Sequence, residues 1–327
     1  MWYSDHLSPE PERSDFRGAA GRPGRLRPHR AQAADVKGGT MNQKKEQRRT
    51  ERRNFREALQ KELREHKSSF LVFYFLRALV ILSLARQIWL GSYESAFFCV
   101  LTLLLLIVPS FVQVNFHIEV PNTLEILTML FIFSAEILGE INEFYVKIPF
   151  WDTILHTING FIAAAIGLSF VVLLNNDARI MFHLSPIFAA IIAFCFSMTV
   201  GVLWEFFEFG MDFVFHTDMQ KDTVITSISS VLLNPSGHNS PVTIENIRST
   251  AVNGKDLGIQ GYLDIGLIDT MKDLFVNFIG ALVFSIFGYF YVKRHGKGKA
   301  VERFLLTRKK PEKDYLNLIE HKEKIKA

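Results

Sequence analysis

The stretch SPIFAAIIAFCFSMTVGVLWEFFEFGMDFVF, Ser185–Phe215, decides the fold. It opens on an apolar run long enough for a bilayer core, which takes about 20 helical residues to cross. It then sets three carboxylates, Glu205, Glu208 and Asp212, among aromatic residues suited to lipid. At roughly 100° per residue the three share one helical face, and a carboxylate facing lipid is costly. These acids are therefore expected to turn inward and meet polar groups on other helices.

Outward from that stretch, further apolar segments of spanning length fall near residues 69–90, 93–114, 122–141, 152–174 and 266–292, with 185–208 completing the set. The expected fold is all-α, a polytopic membrane helix bundle of about six transmembrane helices. Composition agrees: 49% of the 327 residues are hydrophobic, 30 of them Phe, although 21% are charged. Apolar and charged residues must then be segregated. Residues 41–67 hold ten Lys/Arg against five acids, and 293–327 hold twelve against five. The membrane domain, 68–292, holds only eight basic residues against eighteen acids.

Two basic flanks place both ends in the cytoplasm and require an even number of spans. They read as orientation signals, and 41–67 as a charged cytoplasmic helix, rather than as a nucleic-acid surface. Residues 1–40 are rich in Arg, Pro, Gly and Ala without apolar periodicity. They read as disordered or as translated sequence upstream of a start at Met41. Cys99 and Cys195 both lie in apolar runs, with no paired-cysteine motif between them. The 209–265 segment lies outside the cell in this topology, and its β-branched runs TVITSISSVLL and PVTI suggest a small β-hairpin.

Acids recur at helical spacing at the outer ends of four spans. The third carries Glu136 and Glu140, the fourth Asp152 and His156, the fifth Glu205 and Glu208, and the sixth Asp269, Asp273 and Asn277. Steps of three and four keep each set on one face. Asp152-Thr153 with His156 and Asp269-Thr270 with Asp273 form a weak internal repeat, two hairpins around one cavity. Asp152 and Asp269 could serve as helix caps. Glu136, Glu140, Glu205 and Glu208 lie near helix C-termini, where the macrodipole opposes negative charge. Clustered carboxylates cannot all stay ionised without compensation, and the few basic residues nearby lie in loops or at helix ends. Protons or a divalent metal cation of open identity must supply it. The metal set is Asp152, His156, Glu205, Glu208, Asp269 and Asp273, with Glu136, Glu140, Asp212 and Asn277 around the cavity.

The stretches WDTILHTINGF, GVLWEFFEFGMD, TDMQKDT and GYLDIGLIDTMKDLFVNFIGA together resemble the YjdF-like integral membrane proteins of bacteria. A looser similarity is to VanZ-like proteins, through Asp152–His156, Glu205 or Glu208, and Asp269, Asp273, Asn277 and Gly280. That resemblance implies a role at the cell envelope, although the long 209–265 loop departs from the VanZ-like pattern. Pro235–His238, PSGH, looks like one motif of membrane phosphatases but lacks its Lys, Arg and second His partners, and reads as a turn.

Three functions follow as expectations. The first is a bacterial inner-membrane protein that holds a cation near its outer surface and binds or processes a lipid-linked or envelope molecule. In an enzymatic form, His156 or Glu205 would be the general base. The second is a proton- or cation-coupled transporter, and the third a structural membrane protein without catalysis.

Overall fold

A computed structural model of the chain describes residues 30–65, 67–175 and 184–326. The first 29 residues lie outside this description, and with them most of the segment expected to be disordered. Helix α1 covers Arg30–Glu65. Its residues through Arg52 belong to one compact unit and everything from Arg53 onward to a second.

In the second unit five helices are long and apolar enough to cross a membrane. The spanning stretches are Ser68–Trp89 in α2 (Lys67–Trp89), Tyr93–Asn115 in α3 and α4 (Tyr93–Leu105 and Val108–Asn115), α7 (Trp151–Asn175), α8 (Pro186–Phe215) and α9 (Leu267–Lys293). Between the second and third lies α5 (Asn122–Phe133), which continues without a break as a π-helix over Ser134–Ile141. Helix α8 runs to Phe215, past the expected end at 208, so Glu208 and Asp212 are helical.

Parity settles what Asn122–Ile141 does. Lys309 pairs with Glu62 ahead of the first span, and His117, after the second, pairs with Asp314 at 3.0 Å. Strand β1 (Ile118–Glu119) pairs antiparallel with β8 (Thr307–Arg308). The segments before span one, after span two and after the last span therefore share one face of the bundle. Only an even number of crossings between His117 and β8 permits that, and α7, α8 and α9 supply three. Asn122–Ile141 is the fourth of these, giving six among the described residues. The 12 residues of α5 alone rise about 18 Å, and the π-helical segment lengthens the crossing further.

The basic C-terminal segment, expected as a plain tail, is folded onto this face. Helix α10 (Lys299–Glu302), β8 and α11 (Tyr315–Lys326) follow the last span. Ile319 packs with Ala58 of α1 and Val114 of α4. Phe304 enters the bundle and meets Phe161 and Phe284 edge-on, with centroids at 5.2 and 6.2 Å. Ser169 Oγ, buried, accepts the Leu306 N–H at 2.9 Å and donates to the Ala165 carbonyl. A basic composition hides such docking, because the contacts rest on a few apolar residues, Phe304, Leu305, Leu306 and Ile319.

At the opposite end, 216–266 forms more than the single hairpin expected. Strands β3 (Ile228–Ser230) and β4 (Val242–Ile244) pair, as do β5 (Ala251–Val252) and β6 (Lys255–Asp256). A ladder of β2 (Val224–Ile225) with β7 (Tyr262–Leu263) closes the base. Pro235–His238 lies between β3 and β4, where Asn234 Oδ1 accepts from the Ser236 N–H and hydroxyl, a side-chain turn.

The site is built on α7, α8 and α9. Helices α7 and α9 run in the same direction and touch through two glycines. A side chain on Gly160 would collide with the Asn277 carbonyl, and one on Gly280 with the Thr157 carbonyl. Gly201 of α8 faces the Asn277 side chain in the same way. Small residues allow backbones to close in where lipid provides no hydrophobic drive. Ser197 Oγ then donates to the Gly160 carbonyl at 2.8 Å, tying α8 to α7.

Candidate cation site

One turn above that crossing, His156 of α7 stands among carboxylates from three helices. Its Nε2 lies 3.4 Å from Asp152 Oδ1 and 3.9 Å from Asp273 Oδ2. Its Nδ1 lies 4.0 Å from Glu205 Oε1. One ligand atom each from Asp152, His156 and Asp273 falls within 4.8 Å of the others. Four ligand atoms about 2.0 Å from a tetrahedral ion stand roughly 3.3 Å apart, so the set is slightly wider than a closed coordination sphere.

Burial gives these distances weight. Asp273 is 1% exposed and Glu205 4%. Neither oxygen of Glu205 nor Oδ1 of Asp273 has a hydrogen-bond partner. Buried carboxylate oxygens are normally satisfied, and an orphan costs several kcal/mol when charged, about 1–3 when neutral. Gln220 and Thr270 approach Glu205 but bond each other, amide to hydroxyl, at 2.6 Å. Glu205 is buried between this pair and the imidazole, with its Oε1 4.0 Å from His156 Nδ1.

Other candidates are engaged elsewhere. Glu208 is buried near His156 and accepts the Trp204 indole N–H at 2.8 Å. Asn277 is fully buried under the cluster, where its Oδ1 accepts from Asn159 at 3.4 Å. Asp212 does not join the centre: its oxygens accept from Thr217 Oγ1 and from the Met219 and Gln220 N–H groups. Asp269 likewise accepts the Lys221 N–H at 2.9 Å. Asp264, absent from the expected set, accepts from the Thr223 and Ile268 N–H groups. These three aspartates clamp 217–223 as a strap over the end of α8 and α9 opposite the tail. Helical spacing placed Asp212 and Asp269 on the right face, but they sit at helix ends where loop N–H groups outcompete the cavity. Neither Asp152 nor Asp269 is a cap; each lies inside the first turn, and Gly266 caps α9.

Glu136 and Glu140 lie on the π-helix, at the edge of the cluster rather than within it. Tyr145, in the short helix α6 (Phe144–Lys147), packs its ring on Gly139. Burial first, then the carboxylates of Asp152, Glu140, Glu136 and Glu208, hold its phenol far above the ordinary range. It remains a protonated donor beside the acids. Trp151 Nε1 donates to the Ser134 carbonyl at 3.3 Å, at the start of the π-helix. A π-segment beside a cluster of unsatisfied groups is a recurrent mark of function. It leaves no compositional trace in the sequence. Tyr145 and Gln220 were within reach of inspection, since both stand beside the acids in sequence or in the TDMQKDT stretch.

The fold and cluster define a multi-span helical membrane protein with a buried His–carboxylate site at one end. The chain matches, over residues 70–294, the family described as Predicted membrane protein (DUF2238), and it belongs to that family. It is 28% identical over 143 residues to an uncharacterised protein of Thermotoga maritima, covering 43% of this chain and 65% of the relative. The chain thus spans somewhat less than two thirds of that relative's length. No solved structure matches.

Proposed function

We propose that this protein holds a divalent cation between Asp152, His156 and Asp273, and that the cation serves to bind or process a lipid-linked or envelope molecule. The observation that carries the reading is the pair of buried carboxylates around His156, Glu205 and Asp273, three of whose four oxygens lack a hydrogen bond. A hard or borderline cation suits two carboxylates and one imidazole. His156 offers Nε2 to the ion because both aspartates lie on that side. Glu205 faces Nδ1, the position of an outer carboxylate that fixes which ring nitrogen ligates. Its remaining oxygen is the one free to take a proton. When bound, the cation would polarise a phosphoryl or carbonyl oxygen.

Both basic flanks share one face, so the positive-inside rule puts that face in the cytoplasm and the site outside. The YjdF-like resemblance and the bacterial relative support a bacterial inner membrane, and the VanZ-like pattern supports an envelope substrate. Transport is the weaker reading. Below Asn277 the way to the tail face is filled by Phe161, Phe284 and Phe304, with no ionisable group in that aromatic cage.

Elemental analysis of purified protein, with thermal unfolding before and after chelation, tests the proposal. One equivalent of divalent metal and a chelator-dependent fall in midpoint are expected from the native chain and neither from His156→Ala. Metal-free protein that ignores both chelator and added cations overturns it. Flux in proteoliposomes driven by a pH gradient would favour transport instead.

A further inference from the structure

At the tail end of the bundle, α8 and α9 part to leave a groove of about 560 Å³, far from the cation site. Ile187, Ile191 and Phe194 form one wall, and Leu282, Ile286 and Phe290 the other. Both walls belong to membrane-spanning helices, so the groove opens into the bilayer. Its inner end is stopped by the edge-to-face pair Phe194–Phe278, at 5.2 Å. From Phe278 to Phe290 the helix rises about 18 Å, close to the ~15 Å half-thickness of a hydrocarbon core. The groove is therefore as long as one acyl chain of one leaflet.

Its outer end is charged. Tyr289 lines the mouth, and Lys293 Nζ stands over its ring at 5.4 Å, with Arg294 next in sequence. An aromatic ring beneath a cation at a span's end marks the interfacial belt. A basic residue there attracts an anionic headgroup. Ser285 and Tyr289 are the polar residues of the lining, and the Ser285 hydroxyl is buried away from the groove surface. Nothing along the walls calls for a polar ligand or a polar helix.

We infer that this groove is a binding site for one anionic phospholipid of the tail-side leaflet, its acyl chain between α8 and α9 and its phosphate on Lys293. The site is independent of the cation proposal, lying at the other end of the same helices.

The test is native mass spectrometry of the full chain purified in mild detergent, with added vesicle lipids of mixed anionic and zwitterionic headgroups. The native chain should retain one anionic phospholipid. Leu282→Trp fills the groove from a position 41% exposed, so it leaves the helix contacts intact. It should lose the retained lipid. Lys293→Glu should keep the chain site but lower the anionic-over-zwitterionic preference at least about fivefold, the order of one basic residue at an anionic surface. Equal lipid retention by native protein and Leu282→Trp overturns the inference. So does a native dimer that Leu282→Trp converts to monomer, which would mean that a second copy occupies the groove.

Discussion

The two ends of the bundle treat the same kind of residue in opposite ways. At the tail end four carboxylates meet cationic partners: Glu62 with Lys309, Glu119 with Lys313 at 2.8 Å, Asp314 with His117, and Glu323 with Arg53. At the other end Asp152, Asp273 and Glu205 surround a single imidazole, and three of their oxygens have no hydrogen bond. Paired acids hold the fold, whereas partnerless buried acids hold a place for something else. Proteins tolerate such local conflict chiefly where function requires it.

The sharpest way to break the contrast is at the tail end. The side chains of Lys309 and Glu62 are 3% and 4% exposed. Glu62→Ala strands a buried ammonium and should destabilise by about 3–5 kcal/mol. The double replacement Glu62→Leu with Lys309→Met should be close to neutral, because desolvating both charges offsets most of their attraction. Denaturant unfolding in detergent reads both. A double variant as damaged as the single one would mean that Glu62 also serves a partner other than Lys309.

Asp273→Asn at the site end should act with the opposite sign. Removing one of several crowded carboxylates relieves repulsion, so the metal-free protein should gain stability or stay level. The gain on adding cation should disappear; for a ligand at 100 times its dissociation constant that gain is about 2.7 kcal/mol. Midpoints with chelator and with added divalent cation decide this. A variant that is weaker under chelator and still responds to metal would equate the two ends.

How the two ends read from sequence follows the same contrast. The spans were legible because hydropathy over about 20 residues is a long signal. The facing of Asp152, His156, Glu205 and Asp273 was accessible through steps of three and four. Asp212 and Asp269 shared that spacing, and nothing local distinguished them from residues that point at the cavity. Their partners are backbone N–H groups of a strap whose path depends on tertiary structure. The tail contacts were hidden for a different reason: Lys309 and Glu62 are separated by 247 positions and each sits in a run of ordinary basic and acidic residues. The π-helix, which the Tyr145 ring and the Trp151 indole contact, is something no residue count reveals.

The strap offers an intermediate test. Asp212 accepts three hydrogen bonds from 217–220. Bonds to a charged acceptor are worth about 1.5–3 kcal/mol each when buried, and this acceptor is half-exposed. Asp212→Ala should therefore cost about 2 kcal/mol and raise hydrogen exchange of Met219 and Gln220 selectively. Metal content should fall only as far as the strap's loosening uncovers Glu205. Loss of all metal with no change in exchange would make Asp212 a ligand.

The smallest expected effect lies in the 216–266 loop. Burial, then the carboxylates of Asp218, Asp264 and Asp212, hold Asp222 above the ordinary carboxylate range, and a backbone bond from Gly266 only partly opposes them. An acid whose folded pKa is raised binds its proton more tightly in the folded state. Its contribution is therefore most favourable at low pH and is lost as pH rises through the folded pKa. At neutral pH the ionised side chain is a net cost, and Asp222→Asn should remove it while keeping an acceptor for Gly266. Because the side chain is exposed, screening limits the gain to within about 0.5 kcal/mol. Unfolding midpoints of native and variant chains should differ near pH 7 and converge as pH falls below the ordinary acid range. A difference that instead widens on acidification would show that Asp222 is stabilised as an anion, by partners such as those of Asp212 and Asp264 at the same end of the bundle.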